Sequence, residues 1–300
     1  MEIALGCGNF GGIGSAPAFF GQGESREQAF EIMDAAWELG LRWFDTADAY
    51  GGGRSEQWIG DWIRETGNRP RITSKTFNAM EDGADFGLAR DRVLRQADAS
   101  LERLGVDRID LYLTHEPDPE TPVEETFQTF QALLERGAIG AWGVSNVGLA
   151  DLEEWLRLGT ASLVQNSYSL LDRGDERELI PLCRERGIQY QGFSPLAGGW
   201  LTGKYRRDEP APAGSRMTMR PEPYRHLENK SVYDAVEAFV RKARELGVSA
   251  GGLAIAWALG GADSVVTGPR RPAHLESARE ALGLRLSAAE RDEVGSLFPC

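Results

Sequence analysis

A single punctuation recurs along this chain and constrains its fold more than any other feature: a helical pattern closes on glycine, and a short β-type run follows at once. It occurs at Gly40 before Leu41-Arg-Trp-Phe44, at Gly67 before Arg71-Ile-Thr-Ser74, and at Gly105 before Asp110-Leu-Tyr-Leu113. It returns at Gly137 before Ala141-Trp-Gly-Val144, at Gly159 before Leu163-Val-Gln165, and at Gly187 before Ile188-Gln-Tyr-Gln-Gly-Phe193. Glycine just past a helix tolerates the left-handed conformation that turns the chain back toward a sheet. With Ile3-Ala-Leu5 at the start and Ser264-Val-Val-Thr267 near the end, eight strands alternate with helices. That order predicts an α/β fold of the (β/α)8 TIM-barrel type, a parallel eight-stranded barrel with outer helices. Barrels routinely reach this length, so residues 1–300 read as one domain.

Helix starts are marked too. Ser25-x-x-Gln28 and Thr121-Pro122-x-Glu124 read as capping boxes. Apolar residues then fall at helical spacing, as in Phe30, Met33, Trp37 and in Val93, Leu94, Ala97, Leu101, Leu104, so each helix has one stripe to bury and belongs to an outer layer. Residues 205–230 break the alternation: rich in proline and arginine and without periodicity, they read as a long loop acting as a lid.

Composition removes several function classes. The 33 Lys and Arg against 46 Asp and Glu give a formal charge of −13, which repels a phosphate backbone and argues against a nucleic-acid partner. Cys7, Cys183 and Cys300 are far apart and lack a C-x-x-C, so no disulfide framework or zinc ribbon is expected, in keeping with a reducing cytoplasm. The start carries an acid where a signal peptide needs bases, and no run is long and apolar enough for a bilayer, so no membrane association is expected. Histidines occur only at positions 115, 226 and 274, which disfavours a metal centre. The oligomeric state is left open.

In such barrels chemistry gathers at the C-terminal ends of the strands. Strand two ends at Asp45 with Tyr50 in its loop, strand three at Lys75, and strand four at His115. Singly, each has an ordinary structural reading. Together an acid, a phenol, an amine and an imidazole from three adjacent strands converge, and an inward lysine needs the counter-ion that Asp45 supplies. A cationic Lys75 beside Tyr50 is expected to pull the phenol below its usual value of about 10.

On these residues the chain resembles the aldo-keto reductases, nicotinamide-dependent barrel enzymes with an Asp, Tyr, Lys, His tetrad. The likeness extends to Gly143-Val-Ser145-Asn146, Gln165-Asn166-Ser-Tyr168, Phe193-Ser194-Pro195-Leu196-Ala-Gly198-Gly-Trp200-Leu201-Thr-Gly203-Lys204, and Gly268-Pro-Arg270-Arg271. The resemblance implies a reductase of a small-molecule carbonyl substrate, with Asp45, Tyr50, Lys75 and His115 catalytic and Tyr50 the general acid. It implies that Ser145, Asn146 and Gln165 hold the nicotinamide carboxamide, that Phe193 takes the place of the aromatic stacked on the ring, and that the stretch from Ser194 through Pro195, Leu196, Gly198, Leu201 and Gly203 to Lys204 wraps the pyrophosphate. Gly268, Arg270, Arg271 and His274 would meet the adenosine end, which favours NADP(H) while leaving NAD(H) possible. Phe10, Phe19, Phe20 and Trp200 are expected to wall the substrate pocket with Tyr50 and His115. The chain departs from the family in beginning at the first barrel strand with no floor hairpin, and in carrying His274, Ser277 and Ala278 near the adenine site.

Other motifs compete less well. Gly6-Cys-Gly8-Asn-Phe-Gly11 fits a dinucleotide G-x-G-x-x-G but opens no helix, and Gly198-Gly-Trp-Leu-Thr-Gly203-Lys204 lacks the hydroxyl residue of a P-loop, because Tyr205 follows. A metal-dependent hydrolase built on Asp45, Asp48, His115 and Glu116 lacks ligands. A cofactor-sensing subunit with little turnover is the remaining alternative, since this fold also serves as a binding module on channels.

Overall fold

The computed structural model describes residues 2–81 and 86–298. Short runs flanked by helices on one side and by each other on the other can bury both faces, and they do so by closing. Strands β1 (Glu2–Gly6), β2 (Trp43–Asp45), β3 (Arg71–Thr76), β4 (Leu111–Thr114), β5 (Trp142–Ser145), β6 (Leu163–Ser167), β7 (Gln189–Phe193) and β8 (Ser264–Thr267) form a closed parallel barrel, each pairing with the next and β8 with β1. The registers Asp45↔Thr73, Lys75↔Leu113 and Ser145↔Gln165 bring the polar strand ends level around one rim.

The surrounding helices are α1 (Arg26–Glu38), α2 (Arg54–Thr66), α3 (Arg90–Leu104), α4 (Val123–Glu135), α5 (Leu149–Leu156), α6 (Leu179–Arg186), α7 (Arg216–Met219), α8 (Lys230–Glu245), α9 (Ala250–Leu259), α10 (Glu276–Gly283) and α11 (Ala288–Ser296). Ser25 caps α1 in a reciprocal box with Gln28, as the sequence predicts. The box expected at Thr121 does not form: the Thr121 hydroxyl donates to Asp118 at 2.7 Å, and α4 starts after Pro122 without a side-chain cap. The terminating glycines 40, 67, 105, 137 and 187 are left-handed, with φ from 65° to 94°. Gly159 is not. Arg157 ends α5 in a right-handed conformation, and a Cβ on Gly159 would sit 2.8 Å from the Phe127 ring, so close packing requires glycine there. Helix α9 also departs from the one-stripe rule, because every residue of it is buried.

One core lies between barrel and helices, and a second, formed by Ala4, Trp43, Leu111, Leu113, Leu163 and Val266, fills the barrel itself. Trp43, 1% exposed, donates its indole N–H to Thr73 Oγ1 at 2.7 Å, and the Arg71 guanidinium lies 4.0 Å over its ring.

Residues 205–230 are ordered rather than aperiodic. They form the one-turn helix α7 and a 3-10 turn over Glu222–Leu227, tied to the rim by Arg216 donating to Asn9 Oδ1 (3.0 Å) and Arg220 donating to the Ile13 carbonyl (3.1 Å).

Candidate active site

Asp45 and Lys75 end up inside the barrel because alternate strand residues point inward and the layer below them is already full of apolar side chains. Lys75 Nζ donates to Asp45 Oδ1 at 2.6 Å and to the Thr46 carbonyl at 2.9 Å, with both side chains at most 3% exposed. Burial alone would favour neutral Lys75, but Asp45 and the Tyr50 phenol outweigh it and hold the amine above the ordinary lysine range. Tyr50 Oη lies 3.4 Å from His115 Nε2, and Lys75 Nζ lies 5.1 Å from the Tyr50 ring centre. Gly8 packs against the Tyr50 ring, which a Cβ there would meet at 3.4 Å, an ordinary contact distance.

The phenol is not depressed as the sequence suggests. Burial pushes Tyr50 above its ordinary value, and the Lys75 charge offsets only part of that, because Asp45 takes up much of its field. His115 is driven well below the usual histidine range by burial and then by Lys75, so its ring is neutral. Its Nδ1 is buried without a hydrogen-bond partner among the described residues. The site thus presents a protonated phenol beside a neutral imidazole, backed by a buried ammonium–carboxylate pair.

A cleft of about 1370 Å³ opens over this group. Along it run Ser145, Asn146, Gln165, Phe193, Ser194, Pro195, Leu196, Gly198 and Lys204, with Gly268, Arg270, Arg271 and His274 at the far end. Asn146 and Ser194 have φ of 56° and 55°, an uncommon conformation for residues with a Cβ, at the ends of β5 and β7 where the backbone must bend around the cleft. Gln165 is doubly committed: its Nε2 donates to Asp45 Oδ2 and to Gln191 Oε1, each at 2.7 Å. Lys204 makes no ion pair among the described residues and is held below the usual lysine range by desolvation and the like charges of Arg270, Arg216 and Arg271. Arg271 Nε donates to His274 Nε2 at 2.9 Å.

Several expected residues stand elsewhere. Phe10 is fully buried in the outer core, Phe19 lies under the Arg220 guanidinium (5.4 Å), and Phe20 packs toward Gly52, so none of the three lines the cleft. Trp200 is 1% exposed between Tyr205 and Tyr233, with ring centres 5.1 and 5.2 Å away. Leu201 is fully buried, and Gly203 caps the 3-10 turn behind the cleft wall. These are the apolar partners that fix the backbone of the wrapping segment. The mouth is walled instead by Phe77, Asn78, Phe86 and Glu116, and roofed by Arg216, Met219, Arg220 and Tyr224. Residues 82–85 and Cys300 lie outside the described residues.

Gln191 was not readable as a site residue. Fully buried, it links Gln165 to Ser264 (Nε2 to Oγ, 2.9 Å), and only its inward register beside Gln165 signals it. Among the described residues no group of three His, Cys, Asp or Glu is placed to hold a metal ion, and no helix is long and apolar enough to cross a membrane.

Comparison with known proteins matches this architecture. A family model described as the aldo/keto reductase family matches residues 2–297. A probable voltage-gated potassium channel β subunit of Arabidopsis thaliana is 34% identical over 279 residues, covering 88% of this chain and 84% of that protein. The NADH-specific methylglyoxal reductase of Escherichia coli (strain K12) is 32% identical over 297 residues, covering 93% and 89%. The structure of a glycerol dehydrogenase from Gluconobacter oxydans superposes with a TM-score of 0.84 at 25% identity, covering 98% of this chain and 90% of that one. The chain belongs to the aldo/keto reductase family of NAD(P)H-dependent oxidoreductases.

Proposed function

We propose that the protein, acting as one domain through residues 1–300, reduces the carbonyl of a small aldehyde or ketone to an alcohol, with Tyr50 as proton donor and NADP(H) as preferred cofactor. The observation that carries this reading is the Tyr50 Oη and His115 Nε2 pair, 3.4 Å apart at the base of an open cleft, with Lys75 and Asp45 behind it. A carbonyl oxygen between the two rings would accept from Tyr50 and from a His115 N–H. The raised phenol suits this task, since it is protonated at neutral pH and gives up its proton as charge develops on the substrate oxygen. Lys75 then stabilises the phenolate until solvent returns the proton.

The cleft fits a dinucleotide. Lys204, the neighbouring Arg270 and Arg271, and the backbone bend at Ser194 suit an anionic, elongated ligand, while Ser145, Asn146 and Gln165 stand beside the tetrad where a carboxamide would need them. When bound, a nicotinamide cofactor supplies the hydride. Two guanidinium groups at the far end favour the form with a 2′-phosphate, because the planar fork grips phosphate bidentately. Free, buried Cys7 and Cys183 accord with a cytoplasmic setting.

The likeness to a channel β subunit favours a second reading, a cofactor sensor with little turnover. Steady-state oxidation of NADPH and NADH with a panel of aldehydes, ketones, sugars and pyridoxal separates them. The proposal expects multiple turnovers with at least one aldehyde and faster turnover with NADPH. Tight cofactor binding without turnover across the panel would support the sensor.

A further inference from the structure

Glu24 is a carboxylate that the reaction does not use, held at the end of the cleft. It stands in the loop between β1 and α1, is 3% exposed, and its backbone is fixed on both sides: its N–H donates to the Asn9 carbonyl (2.9 Å), and its carbonyl accepts from the Gly11 N–H (3.0 Å). Its Oε1 accepts from Arg270 Nε at 2.5 Å. Glu24 is among the residues lining the cleft, and its Oε2 is buried and has no hydrogen-bond partner among the described residues. The other edge of Arg270 is also engaged, since Nη1 donates to the Gly214 carbonyl at 2.6 Å and approaches Met219 Sδ at 2.9 Å, both in the roofing segment.

From this we infer that Glu24 is a specificity-determining residue for the dinucleotide, holding down the preference for the form that carries an adenosine 2′-phosphate. The inference rests on the reading that Arg270 faces that phosphate. A phosphate dianion arriving at Arg270 finds Nε and Nη1 already turned to Glu24 and Gly214, which leaves it Nη2, and it must sit beside a buried carboxylate whose backbone is fixed on both sides. A ribose hydroxyl meets the opposite situation. Uncharged, it is not repelled by the Glu24 carboxylate and leaves the Glu24–Arg270 pair undisturbed. Lys204, Arg271 and Arg216 still draw phosphate to the rim, so Glu24 narrows the preference rather than reversing it.

The test is the ratio of Kd for NADH to Kd for NADPH, measured by fluorescence titration without substrate, in wild type, Glu24→Gln and Arg270→Gln. Glu24→Gln should raise the ratio about tenfold, the order expected when one close charged contact changes, and Arg270→Gln should lower it by a similar factor. An unchanged or lowered ratio in Glu24→Gln, with the ratio falling in Arg270→Gln, overturns the role of Glu24 and leaves the phosphate assignment standing. An unchanged ratio in Arg270→Gln removes the phosphate from Arg270, and both fall. Should Glu24→Gln fail to fold, Glu24→Asp keeps the charge but withdraws it from Arg270. It should raise the ratio more modestly, and no rise counts against the proposal.

Discussion

Breaking the Asp45–Lys75 pair should be far more costly than removing it. In Lys75→Met the ammonium goes but the Asp45 carboxylate stays, 3% exposed, with the Gln165 amide still donating to it. In Asp45→Asn the amine stays, 1% exposed, with the Thr46 carbonyl as its remaining close acceptor. Leaving one buried charge without its partner costs about 3–5 kcal/mol, which for a chain of this size lowers Tm by about 6–15 °C. Replacing both partners removes the uncompensated charge and leaves mainly a packing change, so the double variant should lose less than the sum of the singles by at least about 2 kcal/mol. Equilibrium denaturant unfolding of the four proteins, followed by circular dichroism, gives the coupling directly. Losses that add to within about 0.5 kcal/mol would refute the argument, because they would mean that each group is solvated or otherwise compensated on its own.

Two further expectations follow from other parts of the molecule. Burial, and then the neighbouring Glu56 carboxylate, push Asp48 up to about 7, above its unfolded value near 4, so the stability it contributes is full below pH 4 and is lost as pH rises through 7; Asp48→Asn should flatten the Tm profile between those limits and raise Tm at pH 8, and a parallel profile would show that Asp48 titrates normally. Because Arg216, Arg220 and Arg270 tie residues 205–230 to the rim of the cleft, saturating NADPH should slow limited proteolysis there, and equal cleavage rates with and without it would argue against a lid.

The barrel was legible because its signals are local and repeated: glycine after helix, β-branched run, capping Ser25 with Gln28. The tetrad was legible for a related reason, since a charged or polar residue at the C-terminal end of a barrel strand has few places to go but the rim. Failures came where the outcome depends on which side of a wall a residue faces. Phe10 and Trp200 are aromatic, loop-borne and close in sequence to cleft residues, yet both turn into the outer core because Tyr205, Tyr233 and the neighbouring helices offer more apolar contact than the cleft. The sign at Tyr50 differs from the sequence expectation for an energetic reason: burial raises the phenol, and Lys75 is not a free cation, because Asp45 at 2.6 Å offsets much of its field. Glu24 and Gln191 have no motif; only the spatial neighbours Arg270 and Gln165 give them meaning.

The most direct measurement of the central claim is kcat of Tyr50→Phe with a good aldehyde and NADPH, alongside the Kd for NADPH. Phenylalanine keeps the ring against Gly8 and His115 but removes the proton that the reaction needs. The account predicts a fall in kcat of about 10²–10⁴ with NADPH binding nearly intact. A kcat within about tenfold of wild type would contradict it, since another group would then be supplying the proton.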